Sequence, residues 1–157
     1  MENVTIRPAR LEDARGLAEL LRATGWFTRM EAEKPDDTAA RVLAHLRQCL
    51  NDNSHLVLVA AGATGSILGY LAVHWLPYLF LPGPEGYVSE LFVTPEARGQ
   101  GIGEHLLAEG VTAARARGCC RLQLVNGKQR ESYRRGFYLQ NGWQERDQMA
   151  NFVFDLG

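Results

Sequence analysis

Cysteine is scarce in this sequence: there are three, Cys49, Cys119 and Cys120. An odd count with an adjacent pair makes a poor disulfide framework, and no spacing matches a zinc site. The expectation is a reducing, cytoplasmic compartment, with Cys119 and Cys120 as small strand residues. Net charge is nearly absent too, at −1, so no global field recruits nucleic acid or an anionic membrane. No apolar run is long enough to span a bilayer. The opening MENVTIRPAR lacks the basic and then apolar regions of a secretory signal. His45 and His55 have no partner at ligand spacing, and no metal is expected.

What is present suits one globular domain, 1–157, with 46% hydrophobic and 22% charged residues. VTIR reads as a strand that Pro8 ends. Ala14, Leu17, Ala18 and Leu21 recur at helical spacing, as do Ala39, Val42, Leu43, Leu46 and Leu50. Between them TGWFTRMEAEKPDD has no period and reads as a loop, with Pro35 and two aspartates starting the second helix. HLVLVAA and SILGYLAVHW form a hairpin across GATG, and YVSELFV is a further strand. Ile102, Leu106, Leu107, Val111 and Ala114 share a helix face that Gly118 ends, and CCRLQLV follows as a strand. RESYRRGFYLQNG reads as one helix, and WQER with MANFVFDL as a closing antiparallel pair. The strand–helix–strand unit from Tyr87 to Val125 should be a parallel, right-handed crossover. The fold class is therefore α/β (α+β): a single mixed, mostly antiparallel sheet of about 6–7 strands. It has a central parallel β-α-β unit and helices on both faces.

The informative stretch is VTPEARGQGIGEHLL, where Gly99, Gly101 and Gly103 alternate at the start of a helix. One glycine is enough for a turn. Three, with Arg98 at the rim, favour close approach of an anion to unpaired helix N–H groups. The string G-x-x-x-x-G-K-[ST] is absent. The G-x-G-x-x-G fingerprint fails because its third glycine would fall on Leu106 or Glu104.

Arg98-Gly99-Gln100-Gly101-Ile102-Gly103 fits the R/Q-x-x-G-x-G/A signature, and here the chain resembles the GNAT superfamily of N-acetyltransferases. IRPARLEDA is similar to the family's first strand and helix start, and FYLQNGW to the end of its fourth helix. The resemblance covers nearly the whole chain and implies acetyl-CoA as acyl donor. It implies that the fourth and fifth strands splay around the pantetheine arm, whose amides pair with the backbone of Leu91, Phe92 and Val93. One N–H there would hold the thioester oxygen as charge grows on it. The pyrophosphate would rest on Arg98, Gly99, Gln100, Gly101, Ile102, Gly103 and Glu104. Where the family often has an Asn touching pantetheine this chain has Glu131; Asn126, at the end of a strand, is a candidate for cofactor or substrate. Arg134 stands where the family usually has a small alanine.

Glu90, a carboxylate in a mostly apolar strand, is the candidate base, or else a binder of the cationic substrate. A free Glu and a Lys-like amine are separated by ~8 kcal/mol, so a catalytic Glu90 needs a raised pKa, a lowered amine pKa or a water chain. Tyr138 occupies the family's tyrosine position, which implies a general acid toward the CoA sulfur across a gap of ~2 kcal/mol; the alternative is a ring that only packs. Trp26, Phe27, Arg29, Trp75 and Tyr78 lie in the segments expected to bind the acceptor. The implied function is transfer of acetyl to a primary amine by direct attack in a ternary complex. A small molecule is the first candidate acceptor, and a protein N-terminus or lysine the second. The competing readings are a non-catalytic acyl-CoA-binding or regulatory module of the same fold, and a nucleotide-binding domain. The apolar HWLPYLF run lines a pocket or a dimer contact, so the chain is a monomer or a homodimer.

Overall fold

The computed structural model describes residues 4–157. One sheet carries five strands in the order β1 (Thr5–Pro8), β2 (His55–Ala61), β3 (Ile67–Leu76), β4 (Glu85–Val93) and β5 (Arg121–Leu124). The first three pairings are antiparallel and β4–β5 is parallel. The helices are α1 (Ala14–Ala23), α2 (Thr28–Ala32), α3 (Pro35–Cys49), α4 (Ile102–Ala116), α5 (Glu131–Arg134) and α6 (Phe137–Gln140). The chain divides into two compact units, Met1–Gln123 and Leu124–Gly157.

In the first unit, α1 buries Ala14, Leu17, Ala18 and Leu21, the stripe its spacing predicts. With Leu46 of α3, these leucines pack on the sheet face bearing Val57, Val59, Tyr70 and Ala72. α3 starts with Pro35 at its first position and Asp36 and Asp37 at the positive end of its dipole. α4 covers the opposite face. It comes so close that a Cβ on Gly110 would lie 2.6 Å from Leu71 Cδ2. At the start of the chain Arg7 donates to both Asp13 oxygens, at 2.7 and 2.8 Å, and ties β1 to the turn before α1. This holds the Asp13 carboxyl below the usual carboxylate range.

Several expectations change. The aperiodic loop holds α2, pinned because the Arg22 guanidinium donates to the carbonyls of Met30 and Glu33. Cys119 and Cys120 precede β5, held by Cys120 N–H donating to Pro84 O. The helix expected over RESYRRGFYLQNG is two short ones, split by Gly136 at φ +66°. The sheet has five strands because the closing pair does not form. WQER is held instead through Glu145, which accepts from Lys128 at 2.9 Å and from Tyr133 at 3.0 Å. MANFVFDL is exposed coil with no strand partner among the described residues.

Candidate active site

The centre of the site is a break in strand pairing. Ala72 pairs with Glu90, but its neighbour Val73 pairs with Val88, so Ser89 is an extra residue in β4. Side chains two apart in a regular strand share a face. The bulge turns Glu90 away from Val88's face and onto that of Tyr70 and Ala72. The Tyr70 hydroxyl donates to Glu90 Oε1 at 3.1 Å, and Ser89 Oγ lies 2.9 Å from His74 Nε2. Burial pushes the Glu90 carboxyl up from its ordinary value, against smaller opposing effects of the Tyr70 hydrogen bond and nearby His45. Burial and the Glu90 charge push the Tyr70 phenol well above its ordinary value, so it stays a donor.

Phe92, two residues past Glu90, is the hub of an aromatic wall. Trp26 and Phe27 lie 5.6 Å from its ring and Tyr70 5.8 Å. The Arg98 guanidinium stacks over Trp26 at 5.4 Å and its Nε donates to Val93 O at 3.3 Å. The start of α2 and its neighbourhood thus meet the glycine loop in one place. An open cleft of about 450 Å³ adjoins this wall, lined by Phe27, Thr28, Arg29, Met30 and Arg41. Arg41 is engaged by Glu33 at 2.7 Å, while Arg29 is exposed.

The glycine loop has the geometry its sequence predicts. Gly99 and Gly101 take φ of +75° and +78°, and Gly101 caps α4 without a side-chain bond. After Arg98 N–H donates to Pro95, the next backbone bond is His105 N–H to Gly101 O at 3.0 Å. The intervening N–H groups, Gly99 to Glu104, are a row of donors without carbonyl partners among the described residues. Gln100 braces the row by donating to Glu96 O at 3.1 Å. These donors fit a pyrophosphate. Leu91, Phe92 and Val93 are half-buried in β4 and pair with Leu71, Tyr70 and Gly69.

Within the second unit, Ser132 Oγ donates to Asn126 Oδ1 at 3.2 Å, and Asn126 Nδ2 is buried with no partner. An orphaned amide donor is what a carbonyl-rich ligand such as pantetheine would satisfy. Tyr138 packs edge-on against Phe137 and Trp143, with centroids at 5.0 and 6.0 Å, and burial pushes its phenol up.

The structure therefore gathers Glu90, Leu91, Phe92, Val93, Trp26, Phe27, Arg29, Arg98 and the glycine loop. It separates Trp75 from them. Five residues from Tyr70 along β3, Trp75 faces the other side of the sheet, is 8% exposed, and lies under the Arg117 guanidinium. Tyr78 stacks on Phe80 in the β3–β4 connection. Sequence reasoning missed Tyr70 and Arg41. Tyr70 reaches Glu90 across a strand pair, which no local spacing signals.

Among the described residues no helix is long and apolar enough to cross a membrane. The sequence pattern of the Acetyltransferase (GNAT) family matches residues 19–143. The chain is 35% identical over 97 residues to the aminoalkylphosphonate N-acetyltransferase of Salmonella typhimurium, a match spanning 61% of this chain and 60% of that protein. A transcriptional regulator of known structure from Bacillus halodurans superposes with a TM-score of 0.83 at 28% identity, over 96% of this chain and 99% of its own. An aminoglycoside acetyltransferase from an uncultured soil metagenomic sample shares the fold, with a TM-score of 0.76 at 23% identity over 98% of this chain and 97% of its own. With the glycine loop, the bulged strand and the five-stranded sheet all in place, this chain belongs to the GNAT family of acetyltransferases.

Proposed function

We propose that this chain is an acetyl-CoA-dependent N-acetyltransferase whose acceptor is a small primary amine carrying an anionic group, of the aminoalkylphosphonate kind. The observation that carries this reading is the half-buried Glu90, hydrogen-bonded by the buried Tyr70, beside an aromatic wall that leads to the exposed Arg29. When bound, acetyl-CoA supplies an acetyl thioester that a deprotonated amine attacks. The row of N–H groups from Gly99 to Glu104, with Arg98, would hold the donor's pyrophosphate, and backbone groups of Leu91 to Val93 would hold its pantetheine arm. Glu90 takes the proton from the incoming ammonium, and its raised pKa narrows the free-energy gap that an ordinary carboxylate faces. Phe92, Trp26 and Phe27 exclude water along the acceptor's path, and Arg29 pairs with the anionic end. The family resemblance assigns Tyr138, kept protonated by burial, as the group that would give the leaving sulfur a hydrogen bond.

The test is thiol release from acetyl-CoA with an aminoalkylphosphonate and with the alkylamine of equal length lacking the phosphonate. The phosphonate should be preferred, and Arg29→Ala should raise its KM roughly tenfold while leaving the plain amine unchanged. Absence of thiol release with both acceptors would overturn the reading.

A further inference from the structure

Glu85, the first residue of β4, is a fully buried carboxylate. Arg121, the first residue of β5, donates from Nε to Glu85 Oε2, while Glu85 Oε1 is buried with no hydrogen-bond partner among the described residues. As a source of stability this is a poor arrangement. Desolvating a carboxylate is costly, and a pair that engages one of its two oxygens recovers only part of that cost. A directional bond between two strands does something else: it fixes their spacing and register.

The surrounding contacts are of the same kind. Cys120 N–H donates to Pro84 O at 2.9 Å, and Cys120 Sγ to Gly83 O at 3.4 Å. Leu122 lies so close to Gly86 that a Cβ has no room there, and Trp75 closes the same spot. A Cβ on Gly83 would lie 2.8 Å from Gly118 O. β4 and β5 are therefore stitched where they begin. Beyond the stitch they differ. β4 stays paired with β3 as far as Val93. β5 is an edge strand of four residues against the nine of β4, too short to follow it there. β5 runs about 10 Å past Arg121, so a tilt of about 6° at the stitch displaces its far end by about 1 Å, the scale at which positioning fails.

We propose that the Glu85–Arg121 pair is a positioning clamp. It holds β5 against β4 at one end and so sets the width of the slot that takes the pantetheine arm alongside Leu91 to Val93. This rests on the acetyl-CoA reading above, and adds to it two residues that touch neither donor nor acceptor.

Calorimetric titration with acetyl-CoA tests this on three variants. Glu85→Leu/Arg121→Met replaces the pair with apolar side chains, and its thermal midpoint should stay near or above that of the wild type. Its acetyl-CoA dissociation constant should rise about tenfold while KM for the amine is unchanged. Arg121→Lys keeps a charge for Glu85 but not the plane of the guanidinium, and should weaken acetyl-CoA in the same direction. Should the double variant fail to fold, Arg121→Lys carries the test. Arg7→Met/Asp13→Leu is the control: it removes an ion pair with a buried carboxylate at β1 instead. It should lower the midpoint and leave acetyl-CoA affinity as in the wild type. Wild-type affinity in every folded Glu85 and Arg121 variant would overturn the clamp. So would an equal loss in the control, which makes the effect one of stability alone. A wild type that binds no acetyl-CoA would overturn the donor reading and the clamp's role with it, so the two failures are told apart by the wild type.

Discussion

On the proposed mechanism Glu90 serves as a base only to the extent that burial holds its pKa up, and Tyr70 works against that. The hydrogen bond from the phenol favours the charged carboxylate and so lowers the Glu90 pKa, while desolvation raises it by more. Tyr70 thus sets how far the base is raised, and its own burial keeps its proton in place. On the proposed mechanism, kcat/KM rises as Glu90 loses its proton, so the acid limb of the profile reports this carboxyl and lies above the range of a free Glu. Tyr70→Phe removes the lowering contribution, and the limb should move to higher pH. It should also cost about 1 kcal/mol of stability in urea unfolding. Glu90→Gln should remove the limb altogether and reduce kcat/KM by roughly 10²–10⁴-fold. A limb that stays in place in Tyr70→Phe would mean that another group titrates. The bulge at Ser89 belongs to the same argument, because without it Glu90 would share Val88's face and miss Tyr70.

The turn into α4 combines two demands, a backbone with positive φ and room for a ligand, and these can be pulled apart. Gly101 before α4 and Gly118 after it have nearly the same backbone, φ +78° and +76°. A side chain at either position costs about 1 kcal/mol of left-handed strain. Gly101→Ala and Gly118→Ala should therefore lose similar stability in denaturant, while acetyl-CoA affinity by calorimetry drops at least about tenfold only in Gly101→Ala, as close backbone approach requires. Equal affinities in the two variants would remove the glycine loop from the donor site. This loop was legible in the sequence because everything it needs is local: three glycines, an arginine and the apolar stripe of α4. The periodic helices and the GATG hairpin were legible for the same reason. The Glu90–Tyr70 pair was not, since it depends on cross-strand register and on a one-residue bulge that composition does not announce. Trp75 was assigned to the acceptor side from its neighbours in sequence, but strand alternation sends it to the α4 side. WQER and MANFVFDL carry strand-like patterns, and a pattern fixes which face is apolar without naming what it pairs with. The helix over RESYRRGFYLQNG failed at Gly136, where the left-handed backbone interrupts an otherwise helical run.

At the scale of the whole chain, the proposal is that 1–157 folds as one domain, although its contacts group into two compact units, Met1–Gln123 and Leu124–Gly157. The smaller unit has short helices and few buried apolar residues, among them Phe137. Fewer than 40 residues rarely supply a core that is stable alone. Its unfolding should therefore be coupled to that of the larger unit. Heating the protein should give a single calorimetric transition, with calorimetric and van't Hoff enthalpies equal at fixed protein concentration once any dimer is dissociated. A ligand that binds only the folded state raises that transition by mass action: acetyl-CoA at ~100 times its dissociation constant adds ~2.7 kcal/mol. For a chain of this size, that is a shift of roughly 5–10 °C. ATP and NAD, which lack the pantetheine arm, should give little at the same concentration. An upward shift of one undivided peak with acetyl-CoA alone would support both the donor assignment and the single domain. Two peaks, of which acetyl-CoA moves only one, would leave the donor assignment standing and divide the chain into independently folding parts. No movement of any peak at saturating acetyl-CoA would count against the donor itself, because the free N–H row of Gly99 to Glu104 would then have no thermodynamic partner.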